Sequence, residues 1–173
     1  QAGVEPIVYL PMIVSPDVPC ASFFDDFSSS NSGWPLIDDS TALFEYLDGE
    51  YRILSRQAAP DFKAIAPFAG AQDYSVEVEA HWADSHDDGI YGLVFGYIDD
   101  NSPYYIFAVF TDLSQFRVLR HEPAGGFSSV VDFTHSSEIQ PGTAKNQLKV
   151  IRHGEQITIE INGVIQGTWT DNS

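Results

Sequence analysis

Cysteine, basic residues and long apolar runs are scarce in this chain, and each shortage excludes a class of protein. The 173 residues include one cysteine, Cys20, so an internal disulfide and thiolate-built zinc or iron–sulfur centres are excluded. Eight lysines and arginines stand against 25 aspartates and glutamates, which gives a net charge of −17. Such a surface repels phosphate backbones and anionic lipid, so nucleic acid and membrane surfaces are unsuitable partners. No apolar stretch reaches the roughly 18 residues that a membrane span requires.

Catalytic signatures are also missing from the sequence. The five histidines form no HxH or HExxH spacing, no serine lies in a Gly-x-Ser-x-Gly elbow, and no glycine-rich loop is suited to phosphate. The nearest approach to a carboxylate array is Glu77-Val78-Glu79, whose two acids share one face of a strand and are explained by exposure to solvent. The sequence therefore predicts a protein that is not an enzyme and holds no organic cofactor.

What the sequence contains is a series of short strands separated by turns. Tyr74 to Trp82 alternates strictly between apolar and polar residues, and Asp48-Gly49 and Asn162-Gly163 are hairpin turn pairs. No segment keeps a period of 3.6 residues over three turns. The pattern predicts an all-β, two-sheet antiparallel sandwich. The other predicted strands cover 23–27, 43–47, 50–55, 62–68, 90–97, 104–110, 115–121, 127–133, 148–152, 156–161 and 164–169.

Six short motifs stand in order between Phe24 and Asp171. They are Asp25-Asp26-Phe27 with Gly33-Trp34, Asp48 to Ile53, Asp73 to Val78, Gly89 to Phe95, Asn146 to Val150, and Ile159 to Gly163. Together they resemble the concanavalin A-like, laminin G-like jelly-roll domains of secreted bacterial proteins. The resemblance implies a jelly-roll sandwich over residues 23–173, in a family whose members often bind sugars. It also implies two more strands after Thr170-Asp171; the sequence ends at Ser173, so an open sheet edge is expected.

Residues 1–22 form an N-terminal extension of different character. Pro6 to Val14 is apolar at odd and even positions alike, so a strand here needs cover on both faces. Pro11 restricts such a strand to a sheet edge, and Pro16 and Pro19 make the following connector stiff. The start at Gln1-Ala2-Gly3 is typical of a chain cut by signal peptidase, which predicts secretion or a cell-surface location; a trimmed fragment is the alternative.

An apolar strand at one end and an open edge at the other predict a non-catalytic extracellular fibre. In this hypothesis each subunit donates its N-terminal strand to the sandwich of the next, in a head-to-tail homopolymer. Val8, Leu10, Met12 and Val14 are the expected inserted side chains. The full set of predicted assembly residues is Ile7, Val8, Tyr9, Leu10, Met12, Ile13 and Val14. Pairing of residues 7–14 within their own subunit is the alternative.

A carbohydrate-binding module at the cell surface is the alternative function. Trp34, Trp82 and Tyr104 are the candidate sugar-stacking residues, against the simpler interpretation that aromatic residues at strand spacing belong to the core. Calcium is the ion that the acidic loops suggest. Its candidate ligands are Asp87, Asp88, Asp99 and Asp100, and solvated loop ends are the alternative interpretation.

Overall fold

The computed structural model describes residues 23–56, 63–67, 73–83 and 90–171, together with the backbone of Ile13 and Val14. These ranges contain twelve β-strands and no helix, so the described part of the chain has no helix that could span a membrane. The strands are β1 (Ile13–Val14), β2 (Ile37–Asp38), β3 (Ala42–Leu47), β4 (Glu50–Ser55), β5 (Tyr74–Ala80), β6 (Ile90–Phe95), β7 (Tyr104–Phe110), β8 (Gln115–His121), β9 (Phe127–His135), β10 (Asn146–His153), β11 (Gln156–Ile161) and β12 (Val164–Thr170).

Hydrogen bonding divides these strands into three antiparallel sheets. Sheet A has the order β1-β5-β10-β11-β12, sheet B the order β2-β3-β4, and sheet C the order β6-β7-β8-β9. The predicted all-β antiparallel sandwich is confirmed, but its strands form three hydrogen-bonded sheets where two were expected. The jelly-roll topology stays a prediction.

Strict alternation along β5 shows how the sequence builds the core. Tyr74, Val76, Val78 and Ala80 are buried, as is Trp82 just beyond the strand, because successive side chains of a strand point to opposite faces. Buried residues from all three sheets join one main hydrophobic cluster. A second cluster on sheet C contains Val94, Tyr104, Ile106, Ala108 and Phe110. Both predicted hairpin turns are confirmed. Asp48 and Gly49 have φ of 54° and 80°, and Asn162 and Gly163 have φ of 51° and 79°, as the type I′ turn requires.

Two predicted strands are wrong. Phe23 to Phe27 forms a loop, because the Asp25 carboxylate accepts a hydrogen bond from the Phe27 N–H at 2.8 Å and Phe27 adopts a positive φ of 57°. Of the strand predicted over 62–68, only 63–67 lies in the described part of the chain, and no strand forms there. Pro67 in this range has no N–H to donate to a ladder.

The outer edges of the sheets differ in regularity. β9 loses register with β8 twice, and β12 loses register with β11 between Ile159 and Glu160. β5 pairs with β10 without interruption, from Asn146 opposite Ala80 to Arg152 opposite Tyr74. Bulged edges resist pairing with another strand. The regular backbone of β5 is therefore the better template for an added strand.

Candidate functional site

A groove of about 370 Å³ runs beside β5. Its walls come from four places: the second half of β5 with the residues just after it, the β3–β4 turn with the start of β4, the loop that precedes β2, and the start of β10 with the residue before it. The described lining residues are Phe24–Phe27, Leu47, Gly49–Arg52, Glu77–His81, Ala83, Lys145 and Gln147. Five consecutive residues, Glu77 to His81, line the groove, so it follows the main chain of β5 and not one row of side chains.

The short strand β1 lies on the edge of β5 where this lining begins. Ile13 pairs with Val76 and Val14 with Ser75, in antiparallel register. Within the described ranges no strand pairs with the β1 side of β5 beyond Val76. On that side of β5, the main-chain groups from Glu77 onward therefore have no described partner strand.

Four ionisable side chains bridge the groove between sheet B and sheet A. His81 Nε2 lies 3.1 and 3.2 Å from the two carboxylate oxygens of Glu50, at the start of β4. Lys145 Nζ donates to Glu79 at 2.7 Å and lies 3.5 Å from Glu50. The hydrogen bond to Glu79 raises the pKa of Lys145, so this cation keeps its charge throughout the physiological range. We call Glu50, Glu79, His81 and Lys145 the groove cluster.

Glu77 and Glu79, the two acids that share a face of β5, have different partners. Glu77 accepts a hydrogen bond from the Gln147 side-chain amide at 2.6 Å, and Lys149 lies 3.9 Å away. Glu79 pairs with Lys145. Both carboxylates therefore belong to cross-strand pairs that connect β5 with β10 and the loop before it.

The opposite wall has an apolar rim. The phenyl ring of Phe24 is 72% exposed and Leu47 is 41% exposed. Asp25 fixes the loop beneath them, because its carboxylate also accepts a hydrogen bond from Trp34 Nε1 at 2.8 Å. Hydrogen bonds from Ser28 lower the pKa of the neighbouring Asp26. The groove thus combines exposed apolar groups on one wall with paired charges on the other.

The predicted sugar-stacking residues lie in the core. Trp34, Trp82 and Tyr104 are only 4%, 1% and 7% exposed. The Tyr104 ring stacks on His121 with the centroids 4.4 Å apart. In this structure the three rings do not offer an open face to a sugar.

The predicted calcium ligands are only partly within the described residues. Asp99 accepts a hydrogen bond from the Asn101 N–H at 2.9 Å, and Asp100 binds Lys63 Nζ at 2.7 Å. The hydrogen bond from Lys63 lowers the pKa of Asp100. Asp87 and Asp88 lie outside the described residues. In the described part of the chain no group of three histidine, cysteine or acidic residues is arranged to hold a metal ion.

The predicted assembly residues are also only partly described. Ile13 and Val14 pair through their backbones with β5 of the same chain. For these two positions this agrees with the alternative, in which the segment pairs within its own subunit. Ile7, Val8, Tyr9, Leu10 and Met12 lie outside the described residues.

Comparisons with protein-family models, curated proteins and solved structures found no match. The geometry of the groove and of the β5 edge is therefore the basis for assigning a function.

Proposed function

We propose that this protein assembles with copies of itself by strand addition, in which residues 7–14 of one copy pair with the β5 edge of the next. One observation carries the proposal: β1 already pairs with β5, and the groove continues along the same edge where β1 ends. An extended segment that adds to an exposed edge gains main-chain hydrogen bonds along its length.

Continuation of the β1 register assigns a position to each residue of the segment. With Ile13 opposite Val76, Met12 would lie opposite Glu77, and residues 8–12 would lie opposite 81–77. Residues 77–81, at the end of β5 and just after it, line the groove. The segment has the length and the position that the groove requires.

The same register revises which side chains would enter the core. Directly opposed residues share a face of the sheet, and Val76 faces the core. In that register the odd-numbered positions of the added segment would share the face of Val76. Val8, Leu10 and Met12, which the sequence favoured as inserted side chains, would face the groove and its apolar rim. Apolar residues at both odd and even positions suit a segment that is covered on both faces.

Exchange between subunits needs no new contacts. A strand makes the same contacts with the β5 edge of its own chain as with that of a neighbour, so the connector decides between the two arrangements. Residues 15–22 include Pro16 and Pro19. These prolines fix φ at two positions of a short connector, and a short hinge loop under strain invites exchange between copies.

The donor segment and the acceptor edge are different surfaces of one molecule. Such a contact is heterologous, and it propagates into an open filament unless the rotation between subunits closes a ring. Sheet A has its bulged strand β12 at the far edge, which disfavours a competing edge-to-edge pairing. The expected product is a head-to-tail filament outside the cell, in keeping with the secretion that the sequence predicts.

Disulfide trapping at a described cross-strand pair tests this proposal. All variants carry Cys20→Ser. One protein carries Val14→Cys and a second carries Ser75→Cys, so a disulfide between the two proteins can form only in trans. Opposed residues in an antiparallel pair are close enough for a disulfide. We expect the mixture to give crosslinked heterodimers, and the double variant Val14→Cys/Ser75→Cys to give a ladder of oligomers.

The matched control combines Val14→Cys with Glu79→Cys, which the register places four residues out of position. It should crosslink much more slowly than Val14→Cys with Ser75→Cys. If the double variant closes only within monomers at every protein concentration and the mixture gives no heterodimer, assembly by strand exchange is wrong.

Carbohydrate binding in the groove is a second candidate, and the exposed ring of Phe24 favours it. Sugar sites combine an open aromatic face with carboxylates and amides, and Phe24 lines the groove together with Glu77 and Gln147. Phe127, which is 47% exposed on β9, is a matched control outside the groove. This candidate is supported if the wild type binds on a glycan array, Phe24→Ala does not bind and Phe127→Ala still binds. It is rejected if the wild type binds no glycan.

A further inference from the structure

Arg117 is the one basic residue of this chain that has no polar partner among the described residues. All eight lysines and arginines lie in the described ranges. Those that pair with a carboxylate are Arg52, Arg56, Lys63, Arg120, Lys145 and Lys149. Arg152 donates from Nε to the Gly154 backbone oxygen at 3.1 Å. Arg117 contacts two aromatic rings instead, so no described carboxylate neutralises its charge.

Two phenylalanine rings hold the guanidinium group of Arg117. Its central carbon lies 4.8 Å from the centroid of the Phe133 ring and 5.6 Å from that of Phe110, and the two rings are 5.0 Å apart. A guanidinium group at this distance is attracted to the face of an aromatic ring. Nε of Arg117 is buried without a hydrogen-bond partner, whereas the terminal nitrogens Nη1 and Nη2 are not among the buried unpaired atoms. The terminal nitrogens are therefore the donors that a ligand can reach.

A bulge in β9 brings Phe133 to Arg117. The register between β8 and β9 shifts between Phe116 and Val118, so that residues 132 and 133 together stand opposite Arg117. A bulge of this kind redirects a side chain. Phe116 and Val118 are 0% exposed and face the core, so Arg117 between them points to the outer face of sheet C. The pair formed by Arg117 and Phe133 is thus on a different sheet from the groove cluster.

The chemistry of this pair indicates what it can bind. Arginine presents parallel N–H donors in one plane, and these match the two oxygens of a carboxylate. The Phe133 ring is 52% exposed and offers an apolar surface beside those donors. Asp132, the other residue of the bulge, is exposed, and the chain has a net charge of −17. A second negative charge on the ligand would therefore be repelled.

We propose that Arg117 and Phe133 form a binding site for a molecule with a single carboxylate group on a flat or apolar body. The carboxylate accepts hydrogen bonds from the terminal nitrogens of Arg117, and the body covers the exposed Phe133 ring. An aromatic acid and a sugar acid share this chemistry, because one face of a sugar ring is lined with C–H groups. The site does not depend on strand addition, so either proposal can fail while the other holds.

NMR titration of the isotope-labelled wild type with benzoate and with glucuronate tests the site, and benzyl alcohol and glucose are the neutral counterparts. We expect at least one of the two acids to cause saturable shifts of the Arg117 side-chain N–H signal and of the backbone amides around Arg117 and Phe133. The neutral compounds should not cause these shifts. The acid that binds more tightly identifies the source of the carboxylate, aromatic or sugar. Absence of saturable shifts with both acids, or shifts that map to other residues, overturns the site.

Variants assign the binding to these two side chains. Arg117→Met removes the donors and should weaken acid binding at least about tenfold, and Phe133→Ala should weaken it about threefold. Arg56→Met is the first matched control, because Arg56 pairs with Asp38 at 2.8 Å. Phe127→Ala is the second, because Phe127 is also on β9 and is 47% exposed. Both controls should bind the acid as the wild type does.

Arg117→Lys covers the case in which Arg117→Met does not fold. Lysine keeps the charge without the planar fork, so this variant should still bind the acid several-fold more weakly than the wild type. Unchanged affinity in Arg117→Met, or in Arg117→Lys where the methionine variant does not fold, overturns the site.

Discussion

Among the buried polar residues that the structure describes, Asn146 makes the most side-chain hydrogen bonds, and its replacement by alanine should be severely destabilising. Its exposed fraction is 0%. The side-chain amide donates to the Tyr91 hydroxyl at 2.6 Å and to the Gln140 backbone oxygen at 2.9 Å. The side-chain oxygen accepts from the Gln140 N–H at 2.8 Å and from the Asn162 amide at 2.9 Å. The residue thereby connects β10 to β6, to the loop before β10 and to the β11–β12 turn.

Alanine removes these four hydrogen bonds together. The Tyr91 hydroxyl is buried and loses its described donor, which costs about 1–3 kcal/mol. Gln140 is exposed and Asn162 is partly exposed, so water replaces part of what their groups lose. We expect Asn146→Ala to lower the free energy of unfolding by about 3 kcal/mol in total.

Urea unfolding followed by tryptophan fluorescence measures this loss, and a double-mutant cycle with Tyr91→Phe assigns it. Tyr91→Phe alone should cost about 1 kcal/mol, and much less when Asn146 is already alanine. The reasoning is refuted if Asn146→Ala costs under about 1 kcal/mol, or if the two losses simply add.

Three further predictions concern the core, the loop and alkaline pH. Gly92→Ala places a Cβ 1.9 Å from the Phe107 backbone oxygen, so it should unfold the protein or lower the free energy of unfolding in urea by over about 3 kcal/mol. The control Gly49→Ala has open space at its Cβ and should lower it by about 1 kcal/mol. Equal losses in the two variants would contradict the steric argument. Asp25→Ala should cost about 1–2 kcal/mol in thermal unfolding and shift the Trp34 fluorescence; an unchanged spectrum counts against the loop anchor. Burial raises the pKa of Tyr74 to about 12, above its unfolded value of about 10. The contribution of Tyr74 to the free energy of unfolding should therefore be complete below pH 10 and fall by about 2–3 kcal/mol towards pH 12, and urea unfolding at both pH values should show Tyr74→Phe losing less stability than the wild type by that amount.

Local patterns predicted the strands well where each strand's own residues decide its structure. The alternation from Tyr74 to Trp82 predicts both the strand and its buried face, and the Asn162-Gly163 pair predicts the turn. The strand predicted for Phe23 to Phe27 is wrong because the Asp25 carboxylate accepts a hydrogen bond from the Phe27 N–H, which overrides the β-propensity of the segment. The same carboxylate accepts a second hydrogen bond from Trp34 Nε1, a contact that a local pattern does not include.

The candidate site was less accessible to sequence reasoning. Alternation places Glu77, Glu79 and His81 on one face of β5, but their partners Glu50 and Lys145 come from distant parts of the chain. The sequence also does not show whether an aromatic side chain is buried or exposed. Trp34 and Trp82 were therefore candidates for sugar stacking although both are buried. Ring burial is decided by the packing of three sheets, which no single segment encodes.

The pairing of β1 with β5 also has a consequence for the time course of folding. It consists of two residue pairs between parts of the chain that are far apart in sequence, and distant pairings form late. The hairpins β3–β4, β7–β8 and β10–β11 connect neighbours and can close early. We therefore expect the hairpins of a new chain to form before β1 pairs with β5. In the proposed assembly, the chain's own tethered segment would compete during that interval with the segments of surrounding chains, and the local concentration of copies would decide which segment pairs first.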